Sequence, residues 1–262
     1  MLYYLIRYLE RVFEPPGFQV VEYITVRASL AAITALLISL FIGRRIIRWL
    51  EEKQLGERVR EGESAGAVDH SHKSGTPSMG GLIILISVLV STFLWGAIGE
   101  VYVWLIMLAT AWMGAFGFAG DYIKVVKRDK SGLPARIKLT GQITLGLLVG
   151  SILYFHPQFS DIRTLTYLPF VADETLDYNV LRHFVTGIDL GWLIYIPVVV
   201  FILTALSNAV NLTDGLDGLA AGVTGIVALG LTALAYIAGN AIFADFLNEM
   251  LLPGAGELTI FS

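Results

Sequence analysis

Runs of some twenty apolar residues recur along this chain, and such runs leave few folding outcomes open. Six complete runs stand at Tyr23–Ile47, Met79–Ala97, Val101–Ala119, Ile137–Phe155, Leu190–Ser207 and Leu219–Ala238. Crossing about 30 Å of hydrocarbon takes roughly 20 helical residues. Inside lipid every backbone N–H and C=O must find a partner within the protein, which a helix provides locally. The mean hydropathy of +0.70, with 55% hydrophobic and 15% charged residues, excludes an ordinary soluble domain. The expected fold is an all-α integral membrane protein, a multi-span helical bundle forming one domain over residues 1–262. A seventh apolar stretch opens at Glu257 and meets the end of the chain at Ser262, the pattern expected of a chain cut inside a span.

The absence of cysteine removes disulfides, thiolate chemistry and cysteine metal sites. The first apolar run is too long for a cleavable signal peptide, lacks a small-residue cleavage site and follows an amphipathic lead, Met1 to Gln19. No internal repeat or low-complexity tract divides the chain.

Charge sets the expected orientation. Thirteen of the eighteen Lys and Arg fall in two segments, 44–78 and 120–138, which lie on one side if every run crosses. Cytoplasmic loops collect positive charge, so these two are expected inside, with the N-terminus outside. The short connection 208–218 then also falls inside. The long segment His156–Asp189 falls outside, with room for a short hairpin, and so does Gly239–Gly256.

Three polar segments therefore share the inner face: HSHKSGTPSMGG (70–81), GFAGDYIKVVKRDK (117–130) and NAVNLTDGLDGLA (208–220). In the last, Asn208, Asn211, Asp214 and Asp217 recur every third residue, which puts neighbours on one face of a helix. Gly215 and Gly218 are placed to break that helix and bring backbone close to a ligand. Helix capping by Thr213 or Asp214 accounts for one of these residues. It leaves the two asparagines of an apolar span and the second aspartate unexplained, and polar groups at such depth are costly and functional by default.

In the middle segment Asp121 follows the small residues Gly114, Gly117 and Gly120, which suit close helix packing. An N-cap, or an ion pair with Lys124, would account for Asp121, and anionic lipid headgroups would account for the cations after it. In the first segment Lys73 is an anion contact within a Gly/Pro turn that lacks the phosphate-loop GxxxxGK[ST] spacing. His70 and His72 read as solvated loop residues rather than as a metal pair. Carboxylates beside lysines and glycine turns suit Mg²⁺ and a diphosphate, and phosphoryl transfer needs chiefly positioning and charge neutralisation. A membrane face suits one water-soluble and one lipid-borne substrate. A transporter would instead spread its polar residues through mid-membrane.

These residues resemble the bacterial phospho-N-acetylmuramoyl-pentapeptide transferase family. The resemblance rests on HxxK at His70–Lys73 before GTPSMGG (usually GTPTMGG), Asp121-Tyr122 with Lys124, NAVNLTDGLDGLA, and GFQVVEYITVRAS at Gly17–Ser29. It implies a ten-helix Mg²⁺-dependent enzyme of the bacterial cytoplasmic (inner) membrane. That enzyme moves phospho-MurNAc-pentapeptide from UDP-MurNAc-pentapeptide to undecaprenyl phosphate, giving lipid I and UMP. The implied catalytic residues are Lys73, Asp121, Asp214 and Asp217. The substrate-binding set is Lys73, Asn208, Asn211, Leu212, Asp214, Gly215 and Asp217, with Asp121 as metal ligand. Implied partners are the two substrates, membrane lipid and a second copy as homodimer, with no nucleic acid.

The chain departs from the family at two points. The family carries two adjacent aspartates before the tyrosine, and Gly120 stands at the first. Further helices, another aspartate and a histidine-rich loop of the family have no counterpart before Ser262. Both lead to the expectation that this stretch alone is inactive. The alternatives are a UDP-GlcNAc:polyprenyl-phosphate GlcNAc-1-phosphate transferase and a non-catalytic homologue that binds nucleotide without turnover.

Overall fold

The computed structural model describes residues 1–52, 79–125, 132–167, 175–178, 190–214 and 218–261. The α-helices among these are α1 Leu2–Phe13, α2 Ile24–Glu52, α3 Gly81–Trp95, α4 Val101–Val125, α5 Ala135–Phe155, α6 Trp192–Thr213, α7 Leu219–Ala238 and α8 Ala241–Leu247. Helices α2, α4, α5, α6 and α7 are each long and apolar enough to cross a membrane. The chain is a multi-span helical membrane protein, as its apolar runs require. Its exposed residues agree: Leu36 and Phe41 on α2, and Ile226 and Leu229 on α7, stand open, in a pattern that only lipid solvates comfortably.

Two expected spans differ in detail. The run Met79–Ala97 forms α3 over only 15 residues, about 22 Å of helix, because Gly80 precedes it and Gly96 leaves in an extended conformation. The stretch opening at Glu257 does not begin an α-helix. Ala255–Ile260 forms a buried 3-10 turn instead. The expected hairpin is present, with β1 Leu165–Tyr167 antiparallel to β2 Thr175–Asp177 and Thr166 opposite Leu176.

Successive spans alternate in direction, so two ends can be told apart. At one end, the N-terminal ammonium of Met1 donates to the Phe93 and Leu94 carbonyls (2.6 and 2.9 Å), occupying free acceptors at the end of α3. Arg27 and Glu257 meet there in a buried two-point pair (2.7 and 2.6 Å). Trp95, Ala31 and Ile260 form the core beside it. The opposite end carries Asp121 and the NAVNLTD residues.

The α5–α6 pair is the most extensive helix contact. Gly146 and Gly150 let the backbones close: a Cβ on Gly146 would lie 2.8 Å from the Val200 Cα, and one on Gly150 3.4 Å from the Ile196 Cα. This is the small-residue packing that replaces hydrophobic drive inside lipid. By contrast α7 has no buried residue. It touches α6 little and is held mainly through its far end, where Gly239 meets Gly256.

Candidate active site

Helices α4 and α6 run six residues past the apolar runs that announce them, to Val125 and Thr213. Asp121, Asn208 and Asn211 therefore stand on helices, as the three-residue spacing of the asparagines suggested, although the hydropathy bounds placed them in the connections 120–138 and 208–218. Asp121 lies within α4 near its C-terminal end, so it is no N-cap. The capping reading of the other aspartate also changes. Asp214 closes α6 as its C-cap (ψ 58°), its N–H bonded to the Val210 carbonyl. Helix α7 begins at Gly218 in the left-handed region (φ 78°) with no side-chain cap, and Thr213 bonds back to the Ala209 carbonyl at 2.9 Å.

A cleft of about 290 Å³ opens between the ends of α4, α5 and α6 and the start of α7. Lys138, Gln142, Ser207, Asn208, Asn211 and Asp214 supply its polar lining, with Phe116 and Gly117 among its walls. A second cleft, of about 190 Å³, lies between α3 and α4 and carries Asp121 beside Met79, Gly81, Gly114 and Phe118. The two clefts share Gly117. Asp121 and Asp214 thus border neighbouring clefts that share Gly117 as a lining residue, where an added Cβ would meet nothing within 4 Å.

Local electrostatics favour charged guests. The C-terminus of α6 carries the negative end of the helix dipole and the Asp214 carboxylate together, which calls for a cation. Lys138 sits in the first turn of α5, where a cation is locally disfavoured by the dipole and an anionic guest would compensate it. Met79 has a left-handed backbone (φ 75°) and a buried side chain, a strain of roughly 1–3 kcal/mol of the kind kept at binding sites.

Of the sequence-derived residues, the structure brings Asn208, Asn211 and Asp214 into one cleft and Asp121 into the adjoining one. Leu212 is 83% exposed and does not line either. Lys73, Gly215 and Asp217, with His70 and His72, lie outside the described residues. Gln142 escaped the sequence reading and Lys138 entered it only as loop charge. Gln142 is buried, donates to the Ser207 hydroxyl (3.0 Å) and accepts from Asn208 (3.1 Å). Its visible sign was a lone amide in an apolar run.

The glycosyl transferase family 4 model matches residues 103–259. The phospho-N-acetylmuramoyl-pentapeptide-transferase signature 1 matches residues 73–85, ending inside α3. Phospho-N-acetylmuramoyl-pentapeptide-transferase of Salinibacter ruber is 62% identical over 261 residues, covering 100% of this chain and 68% of that protein. The chain belongs to this transferase family. The same-named proteins of Chlorobium phaeobacteroides (strain BS1) and Chloroherpeton thalassium are 49% and 47% identical, each over 100% of this chain and 67% of their own length. The chain thus spans about two thirds of these transferases, and the family match takes in nearly all of α4, α5 to α8 and the lining of the first cleft, with only the α4 side of the second.

Proposed function

We propose that the protein transfers phospho-MurNAc-pentapeptide from UDP-MurNAc-pentapeptide to undecaprenyl phosphate, releasing UMP, at the cytoplasmic face of the bacterial inner membrane. The observation that carries this reading is the cleft at the Asp121 end, where Lys138, Gln142, Asn208, Asn211 and Asp214 converge. An oxygen of the lipid phosphate attacks the sugar-bearing phosphorus, a new P–O bond forms, the bond to the bridging oxygen breaks, and UMP leaves. Lys138 offsets diphosphate charge, and the amide residues hold the nucleotide. Asp121, reached past Gly117, faces the lipid phosphate.

Magnesium takes one or two carboxylates and completes its shell with substrate phosphates and water. No group of three or more His, Cys, Asp or Glu forms a cage among the described residues. Asp121 and Asp214 are hard oxygen donors of the kind a substrate-borne Mg²⁺ needs, so the residues fit, with Asp121 as its proposed ligand. The ion when bound would neutralise charge on the diphosphate.

Mg²⁺-dependent UMP release from UDP-MurNAc-pentapeptide by the full-length protein in membranes tests the proposal. Gly120 sharpens the test. It is buried in α4, and a Cβ there meets only the Leu133 Cβ at 3.7 Å, an ordinary contact. The backbone there therefore admits a side chain, and in the full-length protein Gly120→Asp is expected to raise turnover more than tenfold, about 1.4 kcal/mol in the barrier. Equal rates would mean that Asp121 suffices. Silence from both versions would sink the transferase reading. The same glycine favours a second reading, nucleotide binding without turnover, whose mark is UMP binding with no release in either version.

A further inference from the structure

The direction of the hydrogen bonds around Asn208 restricts what it can bind. Its amide nitrogen donates to the Thr204 carbonyl (2.8 Å) and to Gln142 Oε1 (3.1 Å). A backbone carbonyl only accepts, so the Asn208 amide can stand only one way round. Gln142 must then present its oxygen to Asn208 and its nitrogen to the Ser207 hydroxyl (3.0 Å). One carbonyl fixes the polarity of the whole chain of amides. Gln142 is only 7% exposed and bridges α5 to α6, whereas Asn208 is exposed along the cleft. Both amide hydrogens of Asn208 are spent, and no described residue donates to its Oδ1.

We infer that Gln142 is a positioning residue that holds Asn208 with only its acceptor oxygen toward the cleft, so that Asn208 receives an N–H or O–H of the nucleoside and not a phosphate oxygen. This rests on the transferase reading. A free asparagine could turn either face to a ligand; the pinned one discriminates, because a phosphate oxygen against Oδ1 would set two acceptors together. The matching donors on a uridine nucleotide are the uracil N3–H and the ribose hydroxyls. Phosphate recognition is left to Lys138.

UMP binding to the purified protein in detergent, measured by calorimetry, tests this without requiring turnover. Gln142→Met keeps the length of the side chain and removes its hydrogen bonds. It is expected to weaken UMP roughly three- to tenfold, the scale of one neutral hydrogen bond. Asn208→Ala, at an exposed position, should do the same, and the double variant should be no weaker than Asn208→Ala alone, because the two act as one unit. Gln142→Glu restores an acceptor for Asn208 and should recover affinity to within about twofold. UMP analogues lacking the N3–H, the 2′-OH or the 3′-OH then identify the donor. One of them should bind the unsubstituted protein more weakly yet bind Asn208→Ala no worse than UMP does. Unchanged UMP affinity in Asn208→Ala, additive losses, or equal sensitivity of both proteins to all three analogues would overturn the inference alone. No UMP binding by the unsubstituted protein would overturn the transferase reading and this inference with it.

Discussion

Replacing Glu257 by alanine is expected to cost about 3–5 kcal/mol of stability, the usual penalty for stripping one partner from a buried ion pair. Arg27 is 3% exposed, and both its terminal nitrogens are spent on Glu257 at 2.7 and 2.6 Å. Its Nε is already buried without a partner, and the further acceptor it keeps, the Trp95 carbonyl 3.4 Å from Nη1, is neutral and cannot balance the charge. The Ala97 N–H, which donates to Glu257 Oε2 at 2.9 Å, would be orphaned as well. Stacking of the guanidinium on the Tyr3 ring (4.3 Å) would remain, worth about 0.5–2 kcal/mol, too little to solvate the charge. Thermal unfolding in detergent reads the loss. The Arg27→Met, Glu257→Leu double variant should recover most of it, because an apolar pair of similar volume avoids the desolvation penalty. A melting temperature unchanged in Glu257→Ala would show that the pair is not closed in solution.

Gly146→Leu is the second large effect, expected to separate α5 from α6 and to abolish nucleotide binding along with it. A Cβ at this position would lie 2.8 Å from the Val200 Cα. The obstacle is main chain, so no rotamer change relieves it, and overpacking of this kind costs about 1–3 kcal/mol and sometimes more. The cleft depends on the same interface. Lys138 and Gln142 come from α5, while Asn208, Asn211 and Asp214 come from α6. Gly225→Ala is the control: on α7 an added Cβ meets nothing within 4 Å, so its melting temperature and UMP affinity should match the unsubstituted protein. If Gly146→Leu melts and binds normally, the close α5–α6 contact is not what builds the site.

Much of this architecture was legible in the residues. Leu219–Ala238 forms its helix at the bounds its hydropathy marks, and the segment His156–Asp189 holds the hairpin. The misplacements have one cause. Hydropathy reports where lipid ends, whereas a helix continues while its backbone bonds continue, so α4 and α6 carry Asp121, Asn208 and Asn211 beyond the apolar runs. Glu257 misled for a related reason: an acid before an apolar stretch reads as the start of a span, but its partner Arg27 lies 230 residues away.

The sequence by itself determined the membrane class, the number and order of apolar runs, the gathering of polar motifs at one end, and the family. Each follows from local composition or from a contiguous motif. Only the tertiary structure decided that Gln142 and Lys138 belong with Asn208 and Asp214, that Asp121 borders a separate cleft sharing Gly117 with the first, and which face of the Asn208 amide remains for a ligand. Those facts are set by how closely α5 approaches α6 and by the direction of hydrogen bonds between them, and neither is written in the spacing of residues along one chain.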